Sequence, residues 1–498
     1  MKIKLYNSLT RNIENFIPIN SDEIKIYSCG PTVYSFAHIG NMRAFLFADL
    51  LQRILRIVGK YKIKWVMNIT NIDDKTIRDS KIGSNAWLKQ WGEQSNEPHQ
   101  NLNTLTNFYE NEFINDIEKL GIQKNHLFSI PRATNYIKQM QDLITTIVNK
   151  NLAYPSDGSI YFNVNEYRKI DIYGKLFKID FENFKTGLRV DTDQYERENV
   201  SDFVLWKAKK EDEPYWNFNL NGTNYPGRPG WHTECSAMEY ELFGLPFDIH
   251  TGGVDLKFPH HEDDIAIAKA GYDVDPTNYW CHNEFLEVEG SKMSKSSGKL
   301  FTIRDLENKG ILPIDIRYAM LSAHYRTKYN FAIKSIEDAK KARMRIQYYI
   351  YSALEKIDFN LEKNINNSIT TEKINALRDN IFNHLADDLH TPKALATLFT
   401  FINNYQIDSL TKDEIIDFIN IMKEINEIFV AWSFTKPEIK CENNIPENII
   451  LLAEQRLAAK KNKDFVSADN LRNQITELGY NIIDTKEGYD ITLDSRIL

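Results

Sequence analysis

The apolar positions change period several times along the chain, and each change marks a new element. Ile24-Lys25-Ile26-Tyr27-Ser28 reads as a short strand, broken by Cys29-Gly30-Pro31-Thr32. Ala44, Leu46, Phe47, Leu50, Leu51, Ile54, Leu55 and Val58 then recur with helical spacing. Asn41 is a suitable N-cap for that helix and Gly59 a stop. Residues 61–69 form the next strand. Strand, glycine turn, helix and strand make the opening unit of a nucleotide-binding α/β sheet. The first eight residues read as a strand and lack the apolar core of a secretory signal.

From about 95 to 220 the periodicity differs. Two amphipathic helices are predicted over 101–120 and 134–152. A charged, β-like stretch follows, with turn signals at Asp157-Gly158 and Lys185-Thr186-Gly187. This reads as an insertion into the α/β domain, and Pro226-Gly227-Arg228-Pro229-Gly230 as the return to the main sheet. Trp231 to Met238 opens a helix, Phe247-Asp248-Ile249-His250 is a strand, and Thr251-Gly252-Gly253 is a tight loop. Phe258-Pro259-His260-His261-Glu262-Asp263-Asp264 leads into a helix over 265–270.

After Pro313 the pattern is helical to about Trp432, as in an all-α bundle. Residues 437–446 read as a linker. The end carries a helix from Asn448, a second over 468–478, and two short strands near 481–484 and 489–493. The organisation is therefore an α/β domain in two halves (1–94 and 221–312) around an insertion (95–220). A helical bundle (313–436) and a small α+β domain (437–498) follow.

Composition narrows the class. At 498 residues the chain is too long for one core. The four cysteines, Cys29, Cys235, Cys281 and Cys441, are far apart, which suits a reducing cytoplasm better than a disulfide scaffold. No apolar run is long enough to span a membrane. A net charge of −8 argues against a generally basic nucleic-acid coat while leaving room for a local basic face.

Three groups of residues carry candidate chemistry. Lys292-Met293-Ser294-Lys295-Ser296 lies between Gly290 and Gly298, a basic loop able to close over a polyphosphate. His38-Ile39-Gly40 sits between the first strand and the first helix, where glycine admits close backbone approach and a helix N-terminus favours anions. Cys29, Cys235, His260 and Asp264 are a suitable donor set for tetrahedral zinc, with His260 and Asp264 four apart on one helix face. Two buried cysteines beside a helix-start histidine would account for the same residues. In the tail, Arg456, Lys460, Lys461, Lys463 and Arg472 form either a phosphate-binding face or a solvated one.

The two phosphate elements together resemble the paired signatures of class I aminoacyl-tRNA synthetases. Further segments resemble the cysteinyl-tRNA synthetases: Tyr27-Ser28-Cys29-Gly30-Pro31-Thr32, Asn68-Ile69-Thr70-Asn71-Ile72-Asp73-Asp74-Lys75, Gly230-Trp231-His232-Thr233-Glu234-Cys235 and Phe258-Pro259-His260-His261-Glu262. So do Asp202-Phe203-Val204-Leu205-Trp206-Lys207, Phe301-Thr302-Ile303-Arg304-Asp305-Leu306 and Leu321-Ser322-Ala323-His324-Tyr325-Arg326. Their order matches the family from residue 1 to about 400, and Lys463-Asp464-Phe465-Val466-Ser467-Ala468-Asp469 extends the likeness to the tail.

The resemblance implies a class I Rossmann-like catalytic domain with an inserted connective segment. It implies activation of L-cysteine by ATP with Mg²⁺ and transfer to tRNA(Cys), by a monomer whose last domain reads the anticodon. His38, Gly40, Asn41, Lys292 and Lys295 are then the ATP contacts, with His38, Lys292 and Lys295 catalytic. Cys29, Cys235, His260 and Asp264 hold one zinc that selects the substrate thiolate, and Gly30, Thr70, Trp231 and His250 line the amino-acid pocket.

Three positions depart from the family pattern. Asn41 replaces a second histidine, Asp264 a glutamate, and Thr251 a glycine, the last implying a stiffer loop. Direct ligation by Asp264 is the expectation. The rival functions are a cysteine ligase that passes cysteinyl adenylate to a small amine, and a non-catalytic, synthetase-like RNA-binding protein.

Overall fold

The computed structural model describes residues 1–177, 202–288, 291–292, 301–359, 371–436, 447–462, 464–478, 480–485 and 488–493. Lys185-Thr186-Gly187, the loop residues 293–298 including Lys295, Cys441 and Lys463 lie outside the described residues. For Lys292 the backbone alone is described. The chain divides into two compact units, one of Met1–Ala339, Arg378–Thr397 and Glu427–Ala431, the other of Lys340–Leu377, Leu398–Asn426 and Trp432–Leu498.

The first unit opens with an antiparallel hairpin of β1 (Lys4–Asn7) and β2 (Asn12–Asn15), followed by β3 (Glu23–Ser28), α1 (Ile39–Ile57), β4 (Lys62–Met67), α2 (Asp74–Ser80), α3 (Pro98–Lys119) and β5 (Leu127–Ser129). Then come α4 (Ile137–Asn149), β6 (Ala153–Ser156), β7 (Ser159–Phe162), α5 (Val164–Tyr167), β8 (Phe203–Ala208), the short pair β9 (Asn219–Leu220) and β10 (Thr223–Asn224), and β11 (Gly227–Pro229). The α/β pattern resumes with α6 (Trp231–Phe243), β12 (Phe247–Gly253), α7 (His260–Tyr272) and β13 (Thr277–Asn283).

Five strands form one parallel sheet in the order β13-β12-β3-β4-β5. Taken by chain position this is the doubly wound order 3-2-1-4-5, so the strand order reverses between β3 and β12. In such sheets ligands bind beyond the carboxyl ends of the strands at that reversal. Cys29 follows β3 directly there, and His250 lies in β12.

The helix start differs from the reading that placed Asn41 at the cap. His38 is the N-cap of α1 and Asn41 occupies N3. The Asn41 backbone N–H donates to His38 Nδ1 at 3.3 Å, and the His38 backbone N–H donates to Asn41 Oδ1 at 3.3 Å. Asparagine thus completes a reciprocal capping box.

Thr251-Gly252-Gly253 is strand rather than loop. It continues β12, paired with Cys281, His282 and Asn283 of β13, and the Thr251 hydroxyl lies 2.6 Å from Ser28 Oγ. The expectation of a stiffer loop there is replaced by a hydroxyl that ties two central strands. Residues 227–229 also stay with the insertion. As β11 they pair with β8 in an antiparallel sheet of order β11-β8-β7-β6, and the main fold resumes only at α6.

The core of the doubly wound domain is anchored by α1, which is buried nearly all round. Its Asp49 is fully buried and accepts from Arg53 Nε of the same helix at 2.8 Å. Farther along are β14 (Leu286–Val288), β15 (Ser291–Lys292), α8 (Ile303–Glu307), α9 (Pro313–Leu321) and β16 (Tyr329–Phe331). Arg317 of α9 gives Asp49 a second guanidinium at 2.8 Å.

The helical stretch runs through α10 (Ile333–Glu355), α11 (Glu372–Ala386), α12 (Thr391–Asn404) and α13 (Lys412–Phe429). At the end, α14 (Glu447–Lys461) and α15 (Phe465–Glu477) enclose a small core with the hairpin of β17 (Tyr480–Asp484) and β18 (Tyr489–Leu493). Arg456 is buried there and forks onto Asp484 at 2.8 and 3.1 Å, and Lys460 joins at 2.7 Å. These two cations staple the hairpin to α14. Together they hold the Asp484 carboxyl below the usual carboxylate range.

Candidate metal and nucleotide site

Three segments bring the donor atoms together: the end of β3 (Cys29), the second turn of α6 (Cys235) and the first residue of α7 (His260). The sulfurs of Cys29 and Cys235 are 3.8 Å apart, and His260 Nε2 lies 3.4 Å from Cys235 Sγ. A tetrahedral ion with metal–sulfur bonds of about 2.3 Å and metal–nitrogen bonds of about 2.05 Å has S···S edges near 3.8 Å and S···N edges near 3.6 Å. The donor set and its spacing therefore fit zinc.

The thiols behave as a pair. The hydrogen bond from Cys235, aided by His261, His260 and His250 and opposed by burial, holds Cys29 well below the usual thiol range. The same bond together with burial pushes Cys235 up.

Asp264 takes other partners beside this set. One carboxylate oxygen takes the Ser236 hydroxyl. The other is 3.5 Å from His250 Nδ1 and has no hydrogen-bond partner among the described residues. Asp264 falls into a group with Glu239 and His250, while Cys29, Cys235 and His260 form another. Aspartate at this position is held by Ser236 on the neighbouring helix, and direct ligation would require giving up that bond.

Cys29 also belongs to a second triad that the sequence reading did not single out. His250 Nε2 is 3.4 Å from its sulfur and His261 Nε2 is 3.3 Å away. His250 Nδ1 faces Glu239 Oε1 at 3.1 Å, and its ring stacks on Trp280. Burial alone would lower His250, but Glu239 and Cys29 outweigh it and raise the imidazole to about 10. Behind His261 runs a relay in which Nδ1 is 2.8 Å from His282 Nε2, and His282 Nδ1 is 2.8 Å from Ser8 Oγ of the first hairpin. Burial, with the facing His250, pushes His261 down to about 3.

Glu239 was legible in principle, because it sits four residues after Cys235 on one helix. His282 and Ser8 come from distant segments, and no local spacing marks them.

The residues expected to line an amino-acid pocket lie beside these donors. A Cβ on Gly30 would fall 1.6 Å from Asn68 O, so only glycine fits, and the Gly30 N–H donates to Asn68 Oδ1 at 2.8 Å. Trp231, the first residue of α6, stacks on His260 with ring centres 4.2 Å apart. Thr70 Oγ1 donates to the buried Glu234 at 2.9 Å.

The two phosphate signatures meet through their described flanks. The Ile39 N–H donates to Phe301 O at 2.9 Å, and His38 pairs with Thr302 as an antiparallel bridge. The other flank is held by the antiparallel pairing of Ser291 and Lys292 with Val288 and Glu287. Because His38 Nδ1 accepts from Asn41, its ring proton resides on Nε2, a donor suited to a phosphate oxygen at the start of α1.

Solved structures that resemble the chain agree on the class. The Mycobacterium tuberculosis methionyl-tRNA synthetase bound by methionyl-adenylate matches with a TM-score of 0.55 at 11% identity, over 82% of this chain and 92% of that one. The Agrobacterium radiobacter LeuRS in its ternary complex with tRNA matches with a TM-score of 0.58 at 10% identity, over 84% and 85%. The fold is that of the class I aminoacyl-tRNA synthetases.

The sequence comparisons specify the branch. The family described as tRNA synthetases class I (C) catalytic domain matches residues 15–341. A cysteine–tRNA ligase of Brachyspira hyodysenteriae is 41% identical and one of Leptospira interrogans 39%, each over 98% of both chains. The chain belongs to the cysteine–tRNA ligase family. Neither rival reading, the small-amine ligase or the non-catalytic RNA binder, gains support from these relatives.

Proposed function

We propose that this protein condenses L-cysteine with ATP and passes the cysteinyl group to tRNA(Cys), selecting cysteine by its thiol. The observation that carries the selection is the Cys29–Cys235–His260 set at the switch point, spaced as the edges of a tetrahedron. A zinc ion held by these residues, with Asp264 the candidate fourth protein ligand, would supply a soft Lewis acid that binds a thiolate far better than a serine hydroxyl. Trp231 orients the His260 ring by stacking on it, and Gly30 lets the chain after Cys29 pack directly against the Asn68 backbone.

In the first step the cysteine carboxylate attacks the α-phosphorus of ATP. A P–O bond forms to the carboxylate, and the bond to the bridging oxygen breaks to release pyrophosphate. His38 Nε2–H and the N-terminus of α1 stabilise the developing charge, and Lys292 and Lys295 add theirs from the tethered basic loop. In the second step the terminal ribose hydroxyl of tRNA attacks the acyl carbon and AMP leaves. Placement of the reactants accounts for most of the rate. The same reading makes the protein a cytoplasmic monomer that takes ATP with Mg²⁺.

Cysteine-dependent ATP–pyrophosphate exchange followed by charging of tRNA tests the proposal. Exchange with charging supports it, and exchange without charging supports the small-amine ligase. Lys295→Ala should depress exchange far more than zinc content or cysteine binding, and equal losses in all three would refute the assignment of that loop to adenylation.

A further inference from the structure

The buried carboxylate of Glu234 is not used by the chemistry above. It lies on α6 directly before Cys235, fully enclosed. One oxygen accepts the Thr70 hydroxyl at 2.9 Å and the other has no hydrogen-bond partner among the described residues. Thr70 in turn is pinned at the sheet's carboxyl end. Its N–H donates to Pro31 O at 3.1 Å, and its carbonyl accepts from Val33 N at 3.2 Å. Asn68, whose Oδ1 accepts from Gly30 N, lies with Nδ2 3.5 Å from Thr70 Oγ1.

These contacts form a chain with one direction. It runs from the Gly30 N–H to Asn68 Oδ1, from Asn68 Nδ2 to Thr70 Oγ1, and from the Thr70 hydroxyl to Glu234. A threonine hydroxyl has a single proton. With that proton committed to Glu234, Thr70 can only accept from a ligand. The site beside Cys29 and Gly30 is therefore built to receive a donor.

On a cysteine whose sulfur lies at the Cys29–Cys235–His260 set, the available donor is the α-ammonium, three bonds from the sulfur. We propose that Glu234 is a positioning residue that fixes Thr70 as an acceptor for the substrate's α-ammonium, so that the pocket distinguishes an amino acid from a thiol acid of the same length. The proposal rests on the reading of this site as a cysteine pocket. It adds a second selection to that made on the thiol: the amine is read by hydrogen-bond polarity. A site left with an unmatched acceptor rejects the ligand that lacks the donor.

The test compares L-cysteine with 3-mercaptopropionate, which has the thiol and carboxylate but no amine, by calorimetric titration of the metal-loaded protein. Wild type should bind cysteine at least about tenfold more tightly. Glu234→Gln, close in shape but able to turn a donor toward Thr70, should weaken cysteine by about tenfold while changing 3-mercaptopropionate by less than about twofold. Thr70→Val should repeat that pattern and Thr70→Ser should retain discrimination, which keeps the test intact if Glu234→Gln folds poorly. Equal losses for both ligands would overturn the proposal by making Glu234 merely structural. A wild-type protein that binds both thiols equally would overturn it while leaving the cysteine pocket in place. One that binds neither would overturn the cysteine-pocket reading itself and Glu234's role with it.

Discussion

The Ile39 backbone N–H donates to the carbonyl of Phe301 at 2.9 Å, joining the first turn of α1 to the segment that leaves the basic loop. Two signatures more than 250 residues apart in sequence thereby share one anchor. Thr302 reinforces it as the N-cap of α8, with its N–H and hydroxyl both 2.8 Å from Asp305 Oδ2. Asp305→Ala should loosen that flank without touching the cysteine pocket. The expected outcome is a kcat for ATP–pyrophosphate exchange lowered by roughly tenfold, with the KM for cysteine and the zinc content unchanged. Loss of zinc or of cysteine affinity would show that the anchor is structural throughout the domain.

Asp264 poses a question of reach. Its carboxylate is shared between Ser236 and His250, and it groups with His250 and Glu239 rather than with Cys29, Cys235 and His260. If it is the metal's fourth protein ligand, Asp264→Ala should lower zinc content per chain and weaken cysteine binding, and Asp264→Glu should retain both. Elemental analysis of the purified variants checks this. Unchanged zinc and unchanged cysteine affinity in both variants would assign Asp264 to the buried pair with His250 instead.

The His261–His282–Ser8 relay makes a separate prediction. A metal-bound Cys29 thiolate cannot donate, so the relay can run only toward the sulfur: Ser8 O–H to His282, His282 N–H to His261, His261 N–H to Cys29. His261→Ala should remove the N–H···S bond and shift the sulfur-to-metal charge-transfer band of the cobalt-substituted protein. His261→Gln, which can still present an N–H, should restore most of the shift. Bands at identical energies in wild type and His261→Ala would show that the relay does not touch the thiolate.

Much of this architecture was legible in sequence where the signal was local. The alternation at residues 24–28, the helical spacing after Asn41 and the glycine between them predicted a nucleotide-binding unit, and β3, α1 and β4 follow it closely. The helices of the tail and its two strands also fall where periodicity put them. Misreadings arose where tertiary pairing decided. Gly252 and Gly253 looked like a turn, yet pairing with His282 and Asn283 keeps them in β12. Gly227 to Pro229 looked like a return to the main sheet, yet they pair with β8.

At the site, Cys29, Cys235 and His260 could be preferred as metal ligands over buried core residues only through resemblance, because they come from three segments with no common spacing. The partners that shape their chemistry, among them Glu234, His250, His282 and Ser8, are defined by which atoms end up buried together. Arg456 shows the converse: a basic residue that composition offers to RNA is consumed by Asp484.

The buried hub of Asp49 gives the fold a specific acid sensitivity. Burial alone would raise the Asp49 carboxyl, but Arg317 and Arg53 outweigh it and hold the carboxyl below its ordinary value. Both guanidiniums also satisfy backbone carbonyls, Arg317 those of Leu120 and Phe429, Arg53 those of Gly121 and Glu427. A carboxyl whose folded pKa lies below its unfolded value contributes stability that is complete above the unfolded value, near 4, and is lost as pH falls through the folded one. Asp49→Asn leaves two buried cations without their counter-ion and should cost about 3–5 kcal/mol at pH 7. In denaturant melts the gap between wild type and Asp49→Asn should be widest at neutral pH, persist to about pH 4 and narrow below it. A gap that stays constant down to pH 2.5 would mean that the neutral amide replaces the carboxylate as a hydrogen-bond acceptor and that the charge itself adds nothing.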